Sequence, residues 1–295
     1  MKKKTSTKIK NILWATDFSK NSRACLSYIK AFSEKLNTGN HVLYVLPRFA
    51  EWIYETAFFK DEDLIKTVDK SREESLKKIK NAGEKSGLTF QGDVVEGIES
   101  EEVIRFAEKN DIDMILVGRR GISQIKDILI GSTTSRLIRN SDIPVLVVPK
   151  TKSNAQIKRI LSPIDLGKIS LPELKYSISL AKQLDAKLYV AHVTEFFNYK
   201  VPVLKRDKLI QKINENIIEI AKESKYNIEN IIYEIGEPAH KIIEISKQNQ
   251  IDLIVMTSHQ RKGIEKFFLG SISEKVLMYS NIPVLILPPT DYENT

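Results

Sequence analysis

The stretch ILVGRRGISQIKDILIGSTTSRLIRNSDIPVLVV, residues 115–148, decides how this chain is read. It begins as a buried apolar strand, turns at Gly118 and Gly121, runs on to Gly131, and there meets Ser132, Thr133 and Thr134 at the start of a helical pattern. Glycines let a backbone approach a ligand closely, and the free amides of a helix N-terminus with adjacent hydroxyls attract an anion. The pattern therefore suits a phosphate group. The competing reading is that these glycines only shape turns and helix ends.

Working outward, apolar segments alternate with amphipathic ones. Strands are expected at residues 12–15, 42–46, 90–95, 114–117 and 145–148. Between the first two, Ser19 reads as the N-cap of a helix with Cys25, Ile29, Phe32 and Leu36 on its buried face, closing near Gly39. A longer charged helix is expected over residues 61–85, with Leu64, Val68, Leu76, Ile79 and Gly83 near one stripe and Gly87 past its end. Another, carrying Val103, Ile104, Phe106 and Ala107, follows Gly97. Strands alternating with helices of this length imply crossover connections, and hence a mainly parallel sheet covered on both faces. Ligands of such sheets sit beyond the carboxyl ends of the strands. Asp17 and the Gly118 loop both follow strands, so they are candidates for one crevice.

The second half repeats the first. SDIPVLVVP at residues 141–149 returns as SNIPVLILP at 280–288, an offset of 139. Gly97 and Gly236, Asp113 and Asp252, and Gly131 and Gly270 keep that offset, whereas Asp17 and Asp165 are 148 apart. The first copy is therefore nine residues longer, and the aromatic stretch after Pro47 is the expected place. That stretch, with Trp52, Tyr54, Phe58 and Phe59, either covers a ligand, meets a partner, or packs under the following helix. Two domains follow, residues 1–150 and 156–295, joined by a polar linker. In the second, Ser170 and Glu173 read as a capping box with Pro172 in the first helical turn. The second copy departs from the first at the decisive turn, where Thr257 and Gln260 replace Gly118 and Gly121 and Gly270 and Ser271 remain. A side chain there occupies space a phosphate would need, so the second site is expected to be weakened or empty.

These residues resemble the universal stress protein family, and the resemblance covers essentially the whole chain as two tandem copies. It rests on Asp17 with Ser19, the Gly97 and Gly236 segments, the closing IPVLVVP and IPVLILP strands, and the spacing Gly, two residues, Gly, nine residues, Gly, Ser at Gly118, Gly121, Gly131 and Ser132. The resemblance implies an α/β fold of two tandem domains, each a five-stranded parallel sheet with helices on both faces, of the adenine nucleotide alpha hydrolase-like type. It implies ATP, with Mg as a candidate companion, held by Gly118, Gly121, Gly131, Ser132 and Thr133, with Asp17 near the adenosine. Asp165, Gly270 and Ser271 are the weaker counterparts in the second domain. Where the family often carries Val at the start of the second strand, this chain has Asn40. The family pairs domains through its final strand, so residues 145–148 and 284–287 are expected to pair within the chain, with further homodimerisation left open.

Composition bounds the alternatives. The net charge is +8 with a pI near 9.2, but Lys and Asp/Glu are interleaved, which favours a solvated surface over a nucleic-acid-binding one. No apolar run approaches the length of a spanning helix, and no leader-like apolar segment follows MKKKTSTK. The single cysteine, Cys25, fits a reducing cytoplasm and reads as core. His41, His192, His240 and His259 show no metal-ligand spacing, and only His259, in the altered loop, stands as a weak catalytic candidate. Arg119 and Arg120 either contact phosphates or are exposed on a tight turn. A Walker-type Gly-Lys-Ser/Thr is absent. The leading expectation is a cytoplasmic, ATP-binding stress-response regulator with little or no hydrolysis. A nucleotide-independent interaction scaffold is the alternative, and an enzyme acting on the nucleotide ranks last.

Overall fold

The computed structural model describes residues 5–47, 62–121, 130–150, 155–164, 171–195, 203–258, 269–289 and 292–293. In the first copy a short strand β1 (Thr5–Ser6) precedes β2 (Asn11–Ala15), α1 (Lys20–Arg23) and α2 (Cys25–Leu36). Then come β3 (Gly39–Pro47), α3 (Glu62–Ser86), β4 (Gln91–Gly97), α4 (Glu99–Lys109), β5 (Met114–Gly118), α5 (Ser132–Asn140) and β6 (Val145–Val148). The second copy repeats the order: β7 (Arg159–Pro163), α6 (Leu171–Leu184), β8 (Lys187–Thr194), α7 (Val203–Glu223), β9 (Asn230–Ile235), α8 (Pro238–Gln248), β10 (Leu253–Thr257), α9 (Ser271–Tyr279) and β11 (Val284–Leu287). A terminal strand β12 (Tyr292–Glu293) pairs with β1.

Each copy is a five-stranded parallel sheet, in the orders β4-β3-β2-β5-β6 and β9-β8-β7-β10-β11. The two join edge to edge where β6 and β11 pair antiparallel, Leu146 facing Leu285, to make one ten-stranded sheet. This disposes of two edges that would otherwise expose unpaired backbone. The union goes deeper than the seam, because a single apolar cluster on one face holds Trp14, Phe32, Leu146, Ile160, Leu188 and Leu285, residues of both copies. Gln183 on α6 also donates to the carbonyl of Thr7 at 2.7 Å and accepts from the Ile9 amide at 3.1 Å, fastening the start of the first copy to the second.

Local chemistry explains the elements and their departures from expectation. Ser19 caps only the four-residue α1, its Oγ accepting from the Ser22 amide; the single helix expected here breaks at Ala24, and Cys25, Ile29 and Phe32, fully buried, lie on α2, which has no side-chain cap. The helix closes at left-handed Asn37, two residues before Gly39, which instead opens β3. On α3 the expected Ile79 and Gly83 are buried, but the face continues through Ser75 in place of Leu76, which is 41% exposed. Gly87 takes a positive φ of 69° just past that helix, as a terminating glycine does. The aromatic stretch of residues 48–61 and Ser170 of the expected capping box lie outside the described residues. The extra length of the first copy is shared with α3 itself, which has 25 residues against 21 in α7.

The repeated aspartates serve the sheet. Asp113 accepts from the Lys10 and Asn11 amides at 2.7 and 2.9 Å, and Asp252 accepts from Lys158 and Arg159 at 2.8 and 2.9 Å. Both staple the start of a central strand at the end of the sheet remote from Asp17. His41, 8% exposed on β3, packs its ring edge against Phe106 at 6.2 Å. Burial holds its imidazole below the ordinary value of 6.5. The unfolded chain thus takes up the proton first as pH falls, so stability present above the unfolded value is lost below it. We expect the denaturation midpoint to decline from about pH 7 to 5 and the decline to flatten in His41→Gln. An unchanged slope in the variant would exclude this origin.

Candidate nucleotide site

The carboxyl end of β2 is built by short hydrogen bonds. Thr16 Oγ1 accepts from the Phe18 amide at 2.9 Å and from the Ser22 hydroxyl at 2.8 Å. Trp14, fully buried, donates its indole N–H to the Ser22 carbonyl at 3.1 Å and lies 3.2 Å from its hydroxyl. Phe18 sits between, with φ of 56°, a left-handed conformation that a bulky residue adopts only when its surroundings enforce it. Its ring meets Trp14 edge-on at 6.1 Å and Tyr44 at 5.0 Å. The result is a fixed half-buried Asp17, one carboxylate oxygen accepting from the Ser19 amide at 2.9 Å.

The glycine loop comes to meet it. A Cβ on Gly121 would lie 2.7 Å from the other carboxylate oxygen of Asp17, so the two segments touch at the carboxyl ends of β2 and β5, and that contact by itself favours glycine. Gly118 has a different reason to be glycine, because a Cβ there would press on the backbone of Ser22 at 3.0 Å. Its loss from the second copy therefore does not mark a ligand role alone, and packing against α1 is sufficient to require it. Gly131 is the open position. Among the described residues a Cβ there would meet nothing closer than 3.6 Å, and its φ of −64° and ψ of 148° suit any residue. Its amide donates to the Arg119 carbonyl at 2.9 Å, and it caps α5 with no side chain of its own.

Behind Gly131, Ser132 is exposed, Thr133 is half-buried and Thr134 turns inward, donating to the Gly118 carbonyl at 2.9 Å. Thr134 thus braces the loop, a role its place in the Ser-Thr-Thr run did not separate from that of its neighbours. Asn40 accepts from Ser33 and Thr38 at 2.8 and 3.0 Å at the start of β3, the opposite end of the strands from Asp17. The departure from the family at this position bears on the α2–β3 turn and not on the crevice. Arg119 neither faces the crevice nor lies exposed. It is half-buried, and its guanidinium donates to the carbonyls of Leu277 at 3.2 Å and Ser280 at 2.7 Å in the other copy.

The second copy keeps this backbone plan with other side chains. Gly270 caps α9 with φ of −62° and ψ of 151°, close to Gly131, and Ser271 after it is exposed. Ser273 donates to the Thr257 carbonyl at 3.4 Å, as Thr134 does to Gly118. The Thr257 hydroxyl donates to the buried carboxylate of Glu173, which places an acid beside the altered turn. Asp165, His259 and Gln260 lie outside the described residues.

Elsewhere the titratable groups have structural settings. Burial, with the nearby charge of Asp17, pushes the Cys25 thiol far up, which removes it as a nucleophile near neutral pH. His192 sets its ring nitrogens against the Ile164 carbonyl and the Thr194 hydroxyl at 3.0 and 3.2 Å. Among the described residues no three His, Cys, Asp or Glu side chains converge to hold a metal ion. None of the described helices is long and apolar enough to cross a membrane.

A sequence profile described as the Universal stress protein family matches this chain twice, over residues 8–149 and 156–288. Among curated proteins, the universal stress protein MJ0531 of Methanocaldococcus jannaschii is 30% identical over 151 residues, 48% of this chain and 84% of its own. Universal stress protein YxiE of Bacillus subtilis is 33% identical over 147 residues, 44% of this chain and 97% of its own. A crystal structure of a universal stress protein from Archaeoglobus fulgidus superposes with a TM-score of 0.72 at 24% identity, covering 95% of this chain and 98% of that one. That last likeness extends over both copies.

Proposed function

We propose, for a chain that belongs to the universal stress protein family in its tandem two-domain form, that the first copy binds ATP and the second does not. The observation that carries the reading is the convergence of Asp17, Gly121 and the open Gly131 at the carboxyl ends of β2 and β5. Among the described residues none stands close enough to Gly131 to require a glycine there, whereas an approaching triphosphate supplies a reason. In this reading the α5 N-terminus, Ser132 and Thr133 face the phosphates, Gly118 and Gly121 line the turn, and Asp17 accepts from the nucleoside. Asp165, Gly270 and Ser271 are the corresponding positions of the second copy, where the Glu173 carboxylate beside Thr257 opposes an anion. Mg2+ would arrive on the phosphates, with coordination completed mostly by water.

Little or no hydrolysis belongs to this reading, and release of phosphate from MgATP above that of the Gly131→Val variant would overturn it. The protein then acts as a cytoplasmic regulator whose nucleotide is a bound signal. Mass spectrometry of the small molecule released when natively purified protein is denatured tests this directly, alongside calorimetry with ATP. One adenine nucleotide per chain is expected. Two per chain would remove the asymmetry between copies, and none, with no heat of binding, would leave the interaction scaffold as the better account.

A further inference from the structure

Arg119 occupies a place that neither ligand contact nor surface exposure explains. Its backbone belongs to the candidate site: the amide donates to Val148 at 2.8 Å, and the carbonyl accepts from Gly131 at 2.9 Å. Its side chain belongs to the other copy, taking the carbonyls of Leu277 and Ser280 where α9 ends. Those terminal carbonyls lack helical partners and carry the negative end of the helix dipole. One terminal guanidinium nitrogen, Nη1, carries two N–H groups and serves both, and the group stays cationic even where burial lowers its proton affinity.

We infer that Arg119 is a positioning residue that couples nucleotide affinity in the first copy to the docked position of α9 in the second. The inference rests on the ATP reading above. Movement of the α9 terminus pulls on a residue whose carbonyl sets the Gly131 amide, at the point where the phosphates would approach. The coupling has a direction built into the sequence. The residue corresponding to Arg119 in the second copy is Ser258, fully buried, whose hydroxyl donates to Leu287 of its own copy at 3.2 Å. Helix α9 also begins at Gly270 and Ser271, so one rigid element of nine residues, about 13 Å long, connects the altered second-copy turn to the first-copy loop. A change at one end of α9 is thereby presented to Arg119 at the other.

Coupling between sites is reciprocal, and this supplies the test. Full-length protein is titrated with MgATP by calorimetry, and amide hydrogen exchange of the last turn of α9 is followed with and without ATP. In the wild type ATP is expected to slow exchange in that turn. Arg119→Ala is expected to weaken ATP binding by about tenfold and to abolish the effect of ATP on α9. Arg119→Lys, which keeps the charge but not the fork, should lose part of the affinity and most of the exchange effect. If the wild type binds ATP while exchange in α9 is indifferent to it, or if Arg119→Ala binds ATP as the wild type does, the coupling is overturned. Should Arg119→Ala fail to fold, the wild-type exchange result and Arg119→Lys decide. Absence of ATP binding by the wild type would instead overturn the nucleotide reading on which the coupling rests.

Discussion

Gly131→Val should lower ATP affinity by about 100-fold, close to 2.7 kcal/mol, while the protein stays folded. The reason lies in the contrast among the three glycines. Among the described residues the nearest neighbours of a side chain at Gly131 are 3.6 Å away, and its backbone angles are ordinary for any residue. The added methyls project into the space the phosphates would use. The fold bears only the exchange of one N-cap residue for a poorer one, roughly 1 kcal/mol or less. Calorimetric titration with a denaturation curve on the same preparation separates the two effects. Gly270→Val serves as the matched control and should leave ATP binding unchanged. An unaltered dissociation constant for Gly131→Val would remove Gly131 from the site. Gly118→Val is a poor probe, because its Cβ would press on the Ser22 backbone and the variant would lose stability whatever it binds.

Trp14→Ala should cost about 3–5 kcal/mol of stability, the largest single-residue effect expected here. Trp14 is fully buried in the apolar cluster shared by both copies, in ring contact with Phe18 and Phe90. Its indole N–H also donates to the Ser22 carbonyl at 3.1 Å, a bond lost with the ring. Because Ser22 and Phe18 shape the turn that fixes Asp17, the same change should loosen the crevice and weaken ATP binding. Chemical denaturation measures the first effect and calorimetry below the transition measures the second. A loss under about 1 kcal/mol would show that the surroundings collapse into the cavity and that the indole is not the support described.

Much of the architecture is legible in the chain because it depends on short-range patterns. The alternation of apolar strands with amphipathic helices yields a parallel α/β sheet, and the 139-residue offset between the closing strands identifies the tandem repeat. On α3 the reading holds at Ile79 and Gly83 and fails at Leu76, because Ser75 and Leu76 both lie within one turn of Ile79 and only the packing of the helix against the sheet turns the smaller Ser75 inward. The end of α2 was placed at Gly39 because glycine is the commonest left-handed terminator, yet Asn37 also adopts that conformation.

The candidate site divides along the same line. Gly118, Gly121, Gly131, Ser132 and Thr133 stand out as candidates by their spacing between a strand and a helix start, and Asp17 by its place after the first strand. Their separate reasons cannot be read that way. Gly118 answers to Ser22, 96 positions earlier in the chain, and Arg119 answers to Leu277 and Ser280, 158 and 161 positions later. Asn40, which stands where the family often carries Val, serves the turn at the start of β3 through Ser33 and Thr38, a partnership that the resemblance does not record.

By itself, then, the sequence determined the elements, their repetition and the asymmetry between the two glycine loops, because each depends on residues within a few turns of one another. The tertiary structure alone decided that the two sheets share one core, that Asp17 confronts Gly121, and that an arginine of one loop grips a helix of the other copy. Those facts arise from packing between segments remote in the chain, where the energy of a contact depends on what the fold brings near and no local pattern records the partner.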